Sequence, residues 1–394
     1  MPRKVYRYQK GRRKKRMSKV AYASGILLIG AVLVFLGYSI AGPLFAFFSG
    51  EKATETEILT TPTFTLDTTS VTKIREDTAS ETGGTAIETH SPFLAAYSVP
   101  PSALDTLQSL SDYILEAQNN GFNAVSIPLR IEGGFLTYKS DNETAINAEL
   151  VRGTLTARQI ADTIKSAGLR AVAEMNLLHD TTFYPNYKMS YKFDGSGERW
   201  LDNALNKGGR PWISPFDPDT ITYLSDLSAE VSGAGFEEIV FDGLLFPPFR
   251  STDLNYIGDK VKSAERYKAL IDVYKAVSGK AAENKAAPKL EIRAIDLINN
   301  TAEAYKPAEL DGAPIVVEYN AADFTKTIIA DGTEIILADM DEAGKVSVVM
   351  QLCAHKLSGT EGVTIKLVGI SPFTESYSSV TAVLASMGFN DYII

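Results

Sequence analysis

The chain has one cysteine in 394 residues, so no disulfide can form within it. Its three histidines stand far apart, with no H-x-x-x-H or Cys-His spacing, which argues against a zinc site. There is no Gly-rich phosphate loop and no serine nucleophile motif. No cofactor is therefore implied, and a metal only if carboxylates hold a hard cation. Acids are missing from residues 1–19, which carry ten of the 39 Lys and Arg. The other 29 bases face 48 acids, a net of −19 for the rest of the chain. Nucleic acid is a poor partner for so acidic a body, because phosphate binding needs a basic face.

Residues 20–48, "VAYASGILLIGAVLVFLGYSIAGPLFAFF", contain no charged residue at all. About 20 such residues span a bilayer. The basic run before them places the N-terminus in the cytoplasm by the positive-inside rule. A cleaved signal peptide is the rival reading, with "SIA" as its cleavage site, but the apolar run continues past it. The reading favoured is a single-pass signal anchor. Residues 49–90, rich in Thr, Ser and Glu and without a sustained period, read as a disordered tether to an extracytoplasmic domain over 91–394.

From residue 91 short β-favouring runs alternate with amphipathic stretches of helix length. The runs are "FLAAYSV", "NAVSIPL", "AVAEMNL", "EEIVFDG", "LEIRAID", "APIVVEYN", "VTIKLVGI" and "DYII". Eight strands alternating with helices imply a (β/α)8 TIM-type barrel; a doubly wound open sheet is the alternative. The first helix is expected to start after Ser102 and to stop at Gly121. "FTKTIIADGTEIILA" reads as a hairpin inserted after the sixth run, turning at Asp331-Gly332. The eighth run ends the sequence, so no eighth loop is expected at the site. Cys353 falls with Val346, Val349, Met350 and Leu357 at helical spacing, as a core residue.

In such a barrel alternate strand residues point inward and the site lies at the C-terminal strand ends. Polar residues inside apolar strands are then informative. They are Arg130, Glu174, Asn176, Asp242, Arg293, Glu318, Asn320 and Lys366. Charges there should be paired, since an unpaired one is costly; a balanced network with no reaction is the plainer reading. Asp242 is the leading candidate for a catalytic acid, with Glu318 or Glu174 as its partner. It ends its strand, shares the lumen side with Val240, and is followed by Gly243, which should leave space beside it. Asp296 is a lesser candidate, and Glu132 reads as a solvated loop acid. Arg293 and Lys366 are candidate substrate-binding bases. The loop after the third run opens on His179 and Asp180 and holds Tyr184, Tyr187, Trp200 and Trp212. Its rings suit the apolar C–H faces of sugars, or else pack the loop onto the barrel.

"NGFNAVSIPLR", "GGFLTYKS", "WISPFDPDTITYLSDLSAEVSGAGFEEIVFDGLLFPP" and the closing "GFNDYII" resemble the putative glycosyl hydrolase domain family, (β/α)8 proteins of bacterial envelopes. Asp180, Pro215, Tyr223, Glu230, Asp242, Phe246 and Pro247 match its pattern. Pro128, Arg130, Glu174, Ser214, Gly243 and Leu245 depart from it. The resemblance implies a glycan as substrate or ligand. The departures, clustered at the expected barrel mouth, imply a different substrate or a barrel that binds without cutting. A barrel docking another envelope protein is the third possibility, its partner unnamed. The expected topology has a direct check. Protease added to intact cells stripped of their wall should release a soluble fragment from beyond the tether. A protected full-length chain would contradict the anchor.

Overall fold

A computed structural model describes residues 93–182, 188–358 and 360–394. The basic segment, the apolar span and the tether lie outside the described residues, as do Tyr184 and Tyr187. Among the described residues, no helix is long and apolar enough to cross a membrane.

Eight parallel strands close into a barrel: β1 (Ala95–Ser98), β2 (Ala124–Arg130), β3 (Arg170–Asn176), β4 (Glu238–Asp242), β5 (Ala287–Arg293), β6 (Ile315–Asn320), β9 (Thr364–Val368) and β10 (Tyr392–Ile393). All eight runs read from the sequence are therefore barrel strands, and the open-sheet alternative falls. Strands β7 (Thr327–Ala330) and β8 (Thr333–Ile336) form the inserted antiparallel hairpin. Asp331 and Gly332 have φ of 47° and 81°, the paired left-handed geometry of a tight two-residue turn.

The helices follow their local signals. Thr156 caps Ala157–Ser166 in a capping box with Gln159. Asp217 caps Pro218–Gly233. The first helix starts later than its apolar pattern implied, at Leu107. Ser102 sits instead in a 3₁₀ turn over Pro101–Leu104, and Thr106 caps the helix by accepting from the Ser109 amide at 3.1 Å.

Parity separates two layers of packing. Ala96, Ala124, Val172, Val240, Val316 and Ile393 fill the lower barrel, while Ile239 and Phe241 pack outward among the helices. Cys353 belongs to the outer core, on the buried face of Glu342–Lys356. Burial pushes its thiol up to about 12, which leaves it inert at neutral pH. The apolar plug stops below Ser126, Glu174 and Asp242, so polar side chains occupy the barrel's upper half.

Candidate active site

The charged residues inside the barrel pair differently from any pairing of sequence neighbours. The Lys366 ammonium donates to Glu174 at 2.7 Å and to Glu291 at 2.9 Å. The other Glu174 oxygen accepts from the Ser126 hydroxyl at 2.6 Å. Burial pushes the Glu174 carboxyl up, but Lys366 and the hydroxyls outweigh it and hold the group below the usual carboxylate range. Burial likewise opposes the Lys366 charge, and the surrounding carboxylates overcome it and raise its pKa. Glu174 and Lys366 are committed to each other, and neither lines the open cavity above. Glu174 is thus displaced as the partner of Asp242, and Lys366 as a substrate contact.

That cavity, about 610 Å³, opens at the C-terminal ends of β4, β5 and β6. Asp242, Glu291 and Glu318 reach it from these strands, with Arg293 and Asp296 at the rim. Asp242 accepts one long bond, 3.4 Å from the Asn176 amide, at Oδ2. Its Oδ1 is sealed from solvent and has no hydrogen-bond partner among the described residues. Burial, only partly offset by Lys366, pushes its carboxyl up to about 6. Gly243 does not leave free space here. Its missing Cβ makes room for Asn176, whose Nδ2 would lie 2.3 Å from any Cβ added there. The glycine serves Asp242 indirectly, by admitting the amide that holds it.

Glu318 has the Arg293 guanidinium 3.9 Å away. Arg293 is largely occupied at the rim, 2.8 Å from Asp323 and 3.8 Å from Asp296. Glu291 went unread in the sequence. Its signal was its even spacing from Arg293 in "LEIRAID", which puts both on the lumen side. Burial pushes its carboxyl well above the usual range, against the pull of Lys366.

The aromatic loop divides. Trp212 lines the cavity and stacks on His179, with ring centroids 4.3 Å apart and planes 11° apart. Trp200 is fully buried among Tyr191 and Phe249, and its indole donates to Asp253 at 2.8 Å, so no face is open to a sugar. Asp180 is also not a substrate contact. It is buried against Arg130 at 2.6 Å, and Arg130 donates to the Leu177 carbonyl at 2.8 Å, clamping the loop to β3. Arg130 lies over the Tyr223 ring at 5.7 Å, which joins these family-matching residues in one structural cluster. Glu230 accepts from Tyr138 and Ser140 and ties its helix to the loop after β2. Glu132 is exposed, 3.4 Å from the His179 ring.

The family model described as "Putative glycosyl hydrolase domain" matches residues 99–297, half of the chain. The chain belongs to this family. The match takes in Asp242 and Glu291; Glu318 and Lys366 lie beyond it. No curated protein matches the chain in sequence. Among solved structures, the PgaB (BpsB) glycoside hydrolase domain from Bordetella bronchiseptica shares the fold at 16% identity and a TM-score of 0.50, over 76% of this chain and 92% of that one. The glycoside hydrolase domain of PelA from Pseudomonas aeruginosa aligns at 14% identity and a TM-score of 0.38, over 77% and 94%. A hypothetical protein from Ruminiclostridium thermocellum aligns at 17% and 0.40, over 47% and 92%.

Two measurements test this charge arrangement in the family member. Lys366→Met strands the Glu174 anion and should cost about 3–5 kcal/mol in denaturant unfolding. Adding Glu174→Gln should return part of that loss; simple additivity would show the two do not interact. The second concerns Asp242. Its folded pKa lies above the ordinary 3.8. Its contribution to stability is therefore full below about pH 4 and lost as pH rises through about 6. Asp242→Asn lacks that loss. Its stability relative to wild type should rise between pH 4 and pH 7, by at most about 3 kcal/mol. A difference that is flat across this range would contradict the raised pKa.

Proposed function

We propose that this barrel hydrolyses a glycosidic bond, with Asp242 as general acid and Glu318 as its partner. The observation that carries this reading is the Asp242 carboxyl itself: on the cavity, short of hydrogen bonds, and raised to about 6. A carboxyl in that state carries its proton up to about pH 6 and can pass it to a leaving oxygen. Such hydrolysis needs two carboxyls, one as acid and one as base or nucleophile. Glu318 lines the same cavity, 3.9 Å from the Arg293 guanidinium, and is the carboxyl we assign to activate the attacking water or attack the sugar itself. Glu291, bound to Lys366, shapes the floor. The His179 ring, stacked on the buried Trp212, borders the cavity and can face a sugar ring. The apolar span and basic head support a placement outside the cytoplasm on a membrane anchor, acting on an envelope or extracellular glycan.

A second reading, binding without cleavage, is favoured by one observation. The seventh barrel strand brings Lys366 rather than an acid to the lumen, and that lysine engages two carboxylates. Turnover separates the readings. With the full-length protein and a broad glycan panel, Asp242→Asn should cut the rate about 10²- to 10⁴-fold with no loss of melting temperature. The wild-type rate should fall as pH rises through about 6, where the acid loses its proton. Undiminished turnover in a folded variant would end the acid role. Glycan binding with no turnover of any panel member would establish the second reading.

A further inference from the structure

The cavity beside Asp242 continues past His179. A second cavity of about 530 Å³ shares His179 and Glu132 with the first and lies toward the loop after β2. The boundary between them is held in place. The His179 ring stacks on Trp212, and its carbonyl accepts from the Gly133 amide at 2.8 Å. Charge changes across it. The first cavity is dominated by acids, while the second carries Arg152 and Arg210 with the hydroxyls of Thr181 and Thr182. Glu132 and Glu149 also reach the second cavity, and Glu132 faces the His179 ring.

Arg152 is the informative residue. Its guanidinium lies over the Phe135 ring, 4.8 Å from the centroid, and makes no ion pair among the described residues. Stacking fixes the plane of the guanidinium and spares its donors for a ligand. In a body of net charge −19, a cation held this way beside a sugar-sized cavity is set apart from the surrounding surface. We propose that the second cavity is a glycan subsite for a sugar bearing an anionic substituent, a carboxylate or a phosphate. The glycan chain then runs from Asp242 across the Trp212–His179 stack to Arg152. This rests on the hydrolase reading and names its substrate class: an acidic oligosaccharide of at least two residues.

Calorimetric titration of the full-length protein in detergent tests it, with a galacturonate hexamer, a phosphorylated mannohexaose and uncharged mannohexaose as probes. At least one anionic probe should bind about tenfold more tightly than the uncharged one, the worth of one charge-assisted contact. The preferred probe distinguishes carboxylate from phosphate. The preference should shrink as salt is raised. Arg152→Gln should abolish it, bringing the anionic probes to the affinity of uncharged mannohexaose, and Arg152→Lys should restore part of it. Failure of both anionic probes to outbind the uncharged one overturns the subsite, as does a preference that survives Arg152→Gln. The hydrolase reading is judged separately, by turnover at Asp242, so the two can fail independently.

Discussion

A lysine buried between two glutamates governs the upper barrel. Lys366 reaches across the lumen from β9 to Glu174 on β3 and Glu291 on β5, strands that are not its neighbours in the barrel wall. Desolvating a charge is expensive, and only the carboxylates around it make the ammonium tolerable there. The same cluster sets the state of the carboxyls nearby. One positive charge cannot hold Glu174, Glu291 and Asp242 all ionised. Glu174 takes the closest contact and the hydroxyls, and the other two keep their protons to higher pH. The acid on the cavity owes its raised pKa to burial, which Lys366 only partly offsets.

The site stands on unequal supports. Strands β4, β5 and β6 carry the carboxyls, so their placement follows from register and parity. The wall opposite is a loop, and its position depends on Arg130 and Asp180, buried beneath it. Trp200, anchored by Asp253 and packed on Phe249, forms a small core inside the loop itself. The loop therefore holds the buried Trp212, and the His179 ring stacked on it, on a fixed base. Of the residues that match the family pattern, Asp180 and Tyr223 fall in this support, while Asp242 and Phe246 line the cavity.

Much of the fold was legible because its signals are local. Strand runs, Gly168 after the helix Ala157–Ser166, the capping box at Thr156 and the Asp331-Gly332 turn each sit within a few residues. The lumen side of Asp242 was legible too, from its alternation with Phe241. Partner choice was not. Glu174 and Lys366 are 192 residues apart, and nothing short of barrel closure says they meet. Ser102 and Thr106 are both chemically fit to cap a helix, and the Pro100-Pro101 turn decides between them. Trp200 and Trp212 look alike in the sequence; packing buries both, and of the two Trp212 alone reaches the edge of the cavity.

The lone cysteine has a use of its own. Cys353 lies under a helix in the outer core, with its thiolate disfavoured by burial. The native chain therefore offers maleimide-type reagents almost nothing to attack while folded. A cysteine placed on the loop that carries Trp212 would be the one reactive thiol in the molecule. A fluorophore attached there would report on ligand entry without the native cysteine first being removed. It would also register unfolding as a second, delayed labelling event, when Cys353 comes into reach.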